Sequence, residues 1–181
     1  MKLTVVKYGS KVLREPARPV AEINAELLKL IDDMLETMYD SNGVGLAAQQ
    51  VGRLEAVCVI DVPEKCQKEE DRLFNIPIQM PLIMINPEIL SVSGSQRGEE
   101  GCLSFPDMGC PITRPNEVTV AFTGINGMRQ TVTARGLLCR AILHETDHLK
   151  GVVYVDHMTA LDRLAMAGKL KRLSKANGGV R

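Results

Sequence analysis

The sequence predicts an α+β fold, with mostly antiparallel β-sheets around a central helix that carries an H-E-x-x-H motif, and with an N-terminal and a C-terminal helix. The predicted elements run in the order helix, strands, hairpin, helix, which is not the alternation that builds a doubly wound parallel sheet. The motif itself follows an apolar segment with helical spacing. A length of 181 residues fits a single domain over residues 1–181.

The first element is a helix over about residues 25–41. Asn24 is suited to cap its N-terminus, and Glu26 lies in its first turn. Asn42-Gly43 ends the helical pattern. The apolar residues that recur at helical spacing are Leu27, Ile31, Met34, Leu35 and Met38.

Two apolar segments rich in β-branched residues, 55–62 and 82–86, predict buried strands. The second strand is expected to end before Pro87, because proline cannot donate to a strand ladder. Residues 63–81 between them contain charges and three prolines, and we expect a loop or insertion there.

A β-hairpin is predicted from residues 117–123 and 129–134. The connecting residues 124–128 contain Asn126-Gly127, and Asn-Gly is a strong signal for a hairpin turn.

The remaining C-terminal part predicts two helices joined by a short strand. A helix runs from Leu137 into His148 and stops at Lys150-Gly151, and a strand covers residues 152–155. The last helix is predicted from the spacing of Leu161, Leu164, Met166 and Leu170.

Composition excludes several classes of protein. Lys and Arg number 22 and Asp and Glu number 22, so a protein that binds nucleic acid over its whole surface is not expected. The five cysteines are odd in number, and Cys58 and Cys139 lie in apolar runs, which favours a reducing compartment over a disulfide framework. No apolar run approaches the length of a signal peptide core or a membrane span. We therefore expect a cytoplasmic protein without membrane contact.

Residues 144–148, His-Glu-Thr-Asp-His, form the most informative stretch of the chain. Residues four apart share one face of a helix, so His144 and His148 can bind one metal ion. Glu145 lies one position further round and can reach a water molecule at that ion. The pattern predicts a hydrolytic metal site.

A catalytic metal of this kind needs a third protein ligand. His157 lies beyond the predicted helix end, and we expect it to be solvated or to cap a helix. Cys102 is the better candidate, because the nearby glycines Gly98 and Gly101 permit close approach of the backbone to a ligand. The simpler alternative for Cys102 is a small buried apolar residue.

A glycine-rich segment covers residues 43–50, Gly-Val-Gly-Leu-Ala-Ala-Gln-Gln. Taken alone, it indicates a turn after a helix. It follows a helix and not a strand, so it is not a dinucleotide-binding fingerprint.

These three segments together resemble the bacterial peptide deformylases. GVGLAAQQ at 43–50, EGCLS at 100–104 and HETDH at 144–148 have the order and approximate spacing of that family's motifs. The opening segment, with Tyr8-Gly9 and residues 16–20, is also similar. Residues 105–110 and 63–81 depart from the commoner family pattern, which affects the rim of the pocket and not the chemistry.

The resemblance implies a metal-dependent hydrolase that removes the formyl group from the N-terminal formyl-methionine of nascent polypeptides and releases formate. It implies Fe²⁺ as the native metal, although Zn²⁺, Ni²⁺ or Co²⁺ suit the same ligands. The implied roles are metal ligation by Cys102, His144 and His148, proton transfer by Glu145, binding of the formyl oxygen by the Gln50 amide and the Leu103 N–H, and substrate-backbone pairing by Gly45.

Substrate contacts are predicted from the face of the metal-binding helix. Leu137 and Ala141 precede His144 on that face, and with Val44 they form an apolar pocket for an unbranched side chain. Arg140 shares the face. We expect it either to extend its charge to solvent at the rim or to contact the substrate peptide, and the first interpretation is favoured.

Asp147 is interpreted as a hydrogen-bond partner that orients a metal ligand, since ligating histidines usually have one. The alternative is a solvated charge on the helix.

Two rival functions remain open from the sequence. One is an H-E-x-x-H endopeptidase with a third ligand other than Cys102. The other is a structural zinc site closed by a fourth ligand such as Cys110, which leaves Glu145 without a purpose.

The last helix also carries basic residues, namely Arg163, Lys169, Lys171, Arg172 and Lys175. A solvated face of an amphipathic helix packed on the domain is favoured over contact with the ribosome. Contact stays open, because a neutral protein needs a local basic patch to bind a polyanionic particle.

Overall fold

The computed structural model describes residues 1–178. Its regular elements, in chain order, are α1 (Ala25–Asp40), β1 (Gly45–Ala47), β2 (Val57–Ile60), α2 (Glu69–Asn75), β3 (Leu82–Ser93), β4 (Gln96–Gly101), β5 (Gly109–Arg114), β6 (Glu117–Thr123), β7 (Arg129–Arg135), α3 (Gly136–Leu149) and α4 (Ala160–Ala176).

The strands form two antiparallel sheets. Five strands pair in the order β1-β2-β3-β6-β7, and β4 pairs with β5 in a separate two-stranded sheet. Helix α3 contacts β1, β2, β6 and β7 of the larger sheet. The predicted α+β class is confirmed, and α3 packs on the larger sheet.

Helix α1 forms as the sequence predicts. The Asn24 side chain accepts a hydrogen bond from the Leu27 N–H, which satisfies one of the free donors at the helix start. The helix ends at Asp40, one residue before the predicted end. Its buried apolar face, which includes Ile31, Met34 and Met38, packs with residues of β1 and β2 in one core cluster.

The β6–β7 hairpin is also confirmed. Strand β6 covers the predicted residues, and β7 extends one residue further, to Arg135. Val118 pairs with Ala134, and both are fully buried in the cluster that packs against α3.

The strand predicted at residues 82–86 is longer in the structure. Strand β3 continues through Pro87 to Ser93. Its register with β6 shifts between Ile85 and Glu88, so the irregularity falls where proline has no N–H to donate.

The segment 63–81 is more ordered than a loop. It contains a 3₁₀ turn at Glu64–Cys66 and helix α2. The side chain of Asn75 at the end of α2 accepts from the Arg135 N–H and donates to the Arg135 carbonyl, immediately before α3 begins. This insertion therefore holds the start of the metal-binding helix.

Near the C-terminus, the predicted strand is wrong and the predicted last helix is confirmed as α4. Residues 152–155 form no strand, because a 3₁₀ helix at Tyr154–His157 occupies their second half. Their apolar character reflects burial in the cluster around Phe105. In α4, Leu161 and Leu164 do not pack on the domain and are 75% and 74% exposed. Of the four residues that predicted the helix, Met166 and Leu170 pack on the domain, together with Leu173.

The β4–β5 hairpin was not predicted. Along β5, Cys110, Ile112 and Arg114 are buried and alternate with exposed residues. A separate point concerns membranes: within residues 1–178, none of the helices is long and apolar enough to cross a bilayer.

Candidate metal centre and active site

Helix α3 carries six of the predicted site residues. It begins at Gly136, whose φ of +60° lies in the left-handed region that favours glycine. A Cβ there would also meet the Asp71 carboxylate of α2. From this start, the helix places Arg140, His144 and His148 one turn apart along one face.

The two histidines meet Cys102, which follows the end of β4. Cys102, His144 and His148 each present one ligand atom, and these atoms lie within 4.8 Å of one another. The Cys102 Sγ lies 3.3 Å from the His148 Nε2. Both histidines are buried. The sequence predicted this set of three residues.

The residues fit a metal ion by their chemistry. One thiolate and two imidazoles are typical ligands of a catalytic divalent metal that keeps a coordination position open. The His144 Nδ1 is hydrogen-bonded to the Glu100 Oε1 at 2.7 Å, so the other ring nitrogen is available as a ligand. The His148 Nδ1 is buried and has no partner among residues 1–178.

His157 and Cys110, which the sequence analysis considered as metal ligands, lie outside this set of three residues. Within the described chain, the group of possible ligands contains neither His157 nor Cys110. The Cys110 Sγ is directed toward the Pro111 carbonyl, at 3.9 Å. The group therefore has no fourth ligand from Cys110, which removes the support for a closed structural zinc site.

Glu100 is the central residue that the sequence analysis missed. It is 4% exposed, and its carboxylate accepts hydrogen bonds from Arg114 Nε and Nη2 and from Arg140 Nη1 as well as contacting His144. Burial opposes ionisation, but the bonds to His144 and Arg114 hold the pKa of Glu100 well below its usual range. An ionised Glu100 fixes the orientation of the His144 ring. The signal available in the sequence was its position two residues before Cys102.

The favoured interpretation, that Asp147 orients a metal ligand directly, is wrong. Its Oδ2 accepts from the Arg114 Nη1 and lies 2.8 Å from the His157 Nε2. Asp147 therefore acts on the site only through Arg114, which in turn binds Glu100. The side chain of His157 is 36% exposed, so this residue connects the buried network to the surface.

Arg140 is not at the rim. It is 5% exposed, and its Nη1 donates to the Glu100 Oε2 at 2.9 Å and to the Ile112 carbonyl at 3.1 Å. Gly98 makes room for the guanidinium, because a Cβ at that position would lie 3.3 Å from the Arg140 Nη2. The interpretation that its charge reaches solvent is wrong, since Glu100 supplies a buried counter-charge.

Glu145 differs from Glu100 in its surroundings. It is 4% exposed, and its Oε2 has no hydrogen-bond partner among residues 1–178. Burial raises the pKa of Glu145 to about 7. Strand β1 approaches this carboxylate closely, because a Cβ on Gly45 would lie 2.4 Å from the Glu145 Oε1. Gly45 therefore allows a free proton acceptor to sit beside the edge strand of the sheet.

Gln50 presents its amide nitrogen to the metal ligands. Its Oε1 accepts from the Ala47 N–H at 2.7 Å, and its Nε2 donates to the Cys102 Sγ at 3.3 Å. The first bond fixes which end of the amide faces the site. The Leu103 N–H lies next to Cys102 in the chain, and in the described part of the chain it donates to no protein acceptor.

A cavity of about 560 Å³ opens over these groups. Its walls include Val44, Leu137 and Ala141, which the sequence predicted as a pocket. The other predicted site residues that line it are Gly45, Gln50, Cys102, Leu103, Arg140, His144 and Glu145. All of the predicted site residues except the fully buried His148 therefore surround one cavity.

Comparison with known proteins decides the family. The family model for polypeptide deformylase matches residues 2–164. The chain belongs to the polypeptide deformylase family.

Relatives and solved structures of this family cover nearly all of the chain. A peptide deformylase of Endomicrobium trichonymphae is 42% identical over 176 residues, which are 97% of each chain. One from Clostridium botulinum is 45% identical and covers 84% of this chain and 94% of its own. The crystal structure of the Ehrlichia chaffeensis peptide deformylase has a TM-score of 0.83 at 32% identity, with 97% of this chain and 98% of that chain covered. As a member of this family, the chain is an enzyme.

Proposed function

We propose that the chain removes the formyl group from the N-terminal formyl-methionine of newly synthesised polypeptides, releasing formate and a free amine. One observation carries the proposal: an unpaired, buried Glu145 lies next to a set of three metal-ligand residues and two hydrogen-bond donors in one cavity. The cytoplasm is the proposed location, and residues 1–181 are proposed to act as one catalytic domain.

The metal ligands in this proposal are Cys102, His144 and His148. A divalent ion, when bound there, makes a nucleophile available at neutral pH, because it lowers the pKa of water to about 7. Glu100 would hold the His144 ring in the ligating orientation through the Nδ1 contact.

Glu145 is the proposed proton carrier. Burial raises the pKa of Glu145 to about 7, so its carboxylate form is basic enough to take a proton from the attacking water, and its acid form can then release that proton to the leaving amine. Because no side chain among residues 1–178 pairs with its Oε2, the carboxylate is free for both transfers.

Negative charge develops on the formyl oxygen as the nucleophile attacks. The Gln50 Nε2 and the Leu103 N–H are the proposed donors to that oxygen. Both lie beside Cys102, and within residues 1–178 neither donates a hydrogen bond to an oxygen atom. Such donors act on charge that exists only in the transition state, so they raise the rate more than the affinity.

Substrate binding is proposed for the cavity walls. Gly45 lies on β1, which is an edge strand of the sheet that the described residues form, so its backbone can pair with an extended peptide. Val44, Leu137 and Ala141 would receive the methionine side chain. Arg140, with one nitrogen held by Glu100, would contact the peptide from the same wall.

The experiment that tests this function compares three versions of one methionine peptide. Amine release is expected from the formyl peptide and not from the acetyl peptide, and the unblocked peptide should be left intact. Hydrolysis of internal peptide bonds would instead indicate an endopeptidase. Absence of any deformylation by the metal-loaded protein would overturn the proposal.

Fe²⁺ is the proposed native metal, with Zn²⁺, Ni²⁺ and Co²⁺ as alternatives that suit the same ligands. The general affinity order favours zinc, so iron must be selected by supply and reactivity. Fe²⁺, Ni²⁺ and Zn²⁺ forms should be prepared anaerobically and compared by kcat/KM before and after exposure to air. The iron form is expected to be fast and to lose activity, because ferrous iron and the Cys102 thiolate are both oxidisable. A fastest zinc form with an air-stable iron form would point to a zinc hydrolase.

We also propose that α4 contacts the ribosome. Leu161 and Leu164 expose apolar surface on a helix that carries Lys169 and Arg172, and an exposed apolar patch with a basic rim is typical of a docking surface. Co-sedimentation with ribosomes at low and moderate salt should compare the full chain with a chain cut after Ala160, and with a Leu161→Gln, Leu164→Gln variant. Equal binding by all three forms would exclude α4 as the contact.

A further inference from the structure

The N-terminal segment lies against both proposed donors to the formyl oxygen. The Val6 N–H donates to the Gln50 carbonyl at 2.7 Å, and the Tyr8 N–H donates to the Ser104 carbonyl at 2.9 Å. Between them, the Lys7 Nζ donates to the Leu103 carbonyl at 2.8 Å. Three consecutive residues therefore hold together the segments that contain Gln50 and Leu103, which are 53 residues apart in the sequence.

These bonds constrain the direction of the Leu103 N–H. The peptide group that contains it is fixed on one side, because the Cys102 carbonyl accepts from the Phe105 N–H at 2.8 Å. The next peptide group, between Leu103 and Ser104, is fixed by Lys7. With both peptide planes held, the backbone of Leu103 has little freedom to turn its N–H away from the site.

Lys7 also belongs to the cavity. Its side chain lines the same 560 Å³ space as Gln50 and Leu103, and the residue is half-buried. A charged donor to a carbonyl is a comparatively strong hydrogen bond in such a setting. A misplaced donor costs rate, because the field at the reacting oxygen depends on preorganised geometry.

We propose that residues 6–8 position the two formyl-oxygen donors, and that Lys7 is the positioning residue for the Leu103 N–H. This inference rests on the proposed deformylation. It assigns to the N-terminal segment a function in the rate of the reaction and not only in the packing of the chain.

The test replaces Lys7 by Met, which keeps the apolar stem and removes the charged donor. We expect kcat on a formyl-Met peptide to fall about 10- to 100-fold, as for loss of one charge-assisted hydrogen bond, with KM and metal content nearly unchanged. Lys7→Arg should restore most of the rate, because a guanidinium can donate to the same carbonyl. Lys11→Met is the matched control, since Lys11 is exposed and lies outside this cavity.

A second measurement separates positioning from simple loss of stability. Sulfur accepts hydrogen bonds weakly, so the reaction of an N-thioformyl peptide should depend less on the Leu103 N–H. Lys7→Met should therefore slow the formyl peptide more than the thioformyl peptide, by at least about 3-fold in the ratio of kcat values. A purely structural defect would lower both rates equally.

The outcomes distinguish this inference from the function on which it rests. If the unchanged protein does not deformylate the peptide, the proposed function fails. If it does, but Lys7→Met behaves like Lys11→Met, changes only KM, or slows both peptides equally, then Lys7 does not position the donor and the inference is overturned.

Discussion

The hairpins β4–β5 and β6–β7 have the same backbone pattern but bury different side chains. In β6–β7, the buried residues are apolar, among them Val118, Phe122 and Ala134. In β4–β5, Glu100 and Arg114 are buried as an ion pair next to α3. Replacing a buried ion pair by apolar residues often leaves stability unchanged or raises it, so such pairs are weak evidence for a stabilising role. The difference indicates that β6–β7 holds the fold and β4–β5 holds the site.

Within the charged region, a further difference separates the two buried carboxylates. Glu100 contacts Arg114, Arg140 and His144, whereas the Glu145 Oε2 contacts no protein donor in the described residues. A paired carboxylate keeps its charge and geometry. An unpaired one is free to exchange a proton.

The largest expected effect comes from Glu145→Gln. The substitution keeps the shape and removes proton transfer, so kcat should fall by at least about 100-fold while metal content and unfolding temperature stay unchanged. Rate, metal content and thermal unfolding should be measured on one preparation, with the exposed Glu22→Gln as control. Near-full activity, or loss of the metal, would contradict the assigned role.

Gln50→Leu should have the next largest effect on the rate. It removes one donor to the formyl oxygen without touching a metal ligand, and loss of such a donor costs about 10²- to 10³-fold in rate. Steady-state kcat/KM on a formyl-Met peptide would measure it, and the exposed Gln130→Leu on β7 is a control from the other hairpin. A change in metal affinity alone would show that Gln50 supports Cys102 and that the donors lie elsewhere.

Glu100→Gln tests the charged hairpin itself. It leaves Arg140 without its buried counter-charge, leaves Arg114 paired among the described residues with Asp147 alone, and weakens the contact to His144, so metal affinity should fall about 10- to 100-fold. Breaking a buried pair also costs about 3–5 kcal/mol of unfolding free energy. Metal affinity can be measured by chelator competition, and stability by denaturant unfolding.

The control for Glu100→Gln comes from the other hairpin. Glu117 on β6 pairs with Arg135, whose side chain is 45% exposed, and pairs of this kind contribute about 0–1 kcal/mol. Glu117→Gln should change neither metal affinity nor rate. Similar losses in the two variants would show that the hairpins do not differ in function.

The same contrast explains what the sequence could predict. The β6–β7 hairpin has alternating apolar residues and an Asn-Gly turn, and both signals are local. In β4–β5, the residues at 96–101 are polar or glycine, and Glu100 pairs with Arg114, Arg140 and His144 from distant parts of the chain. Local patterns cannot report such long-range pairing. The strand predicted at 152–155 failed for the converse reason, since burial against Phe105 produces an apolar run without strand pairing.

In the candidate site, too, local patterns were predictable and long-range pairs were not. His144 and His148 were predicted from their helical spacing, and Cys102 was predicted from its ligand type and the glycines near it in the sequence. Asp147 was interpreted as the partner that orients a metal ligand, whereas the partner of His144 is Glu100 on β4. Arg140 was expected at the rim because its counter-charge, which makes burial possible, lies 40 residues away.

The smallest effect on the reaction is expected from Phe122→Leu in the apolar hairpin. Phe122 is 2% exposed and packs in the cluster that supports α3, so the smaller side chain leaves a partly filled space and should cost about 1–3 kcal/mol of unfolding free energy. Because Phe122 contacts none of the charged groups of β4–β5 by hydrogen bond or ion pair, kcat/KM per folded molecule and metal content should stay within about 2-fold of the unchanged protein. Denaturant unfolding and steady-state kinetics at a temperature well below the unfolding midpoint would measure the two quantities separately. A loss of rate equal to that of Glu100→Gln would mean that the position of α3 depends as much on apolar packing as on buried charge, and the division between a hairpin for the fold and a hairpin for the site would be wrong.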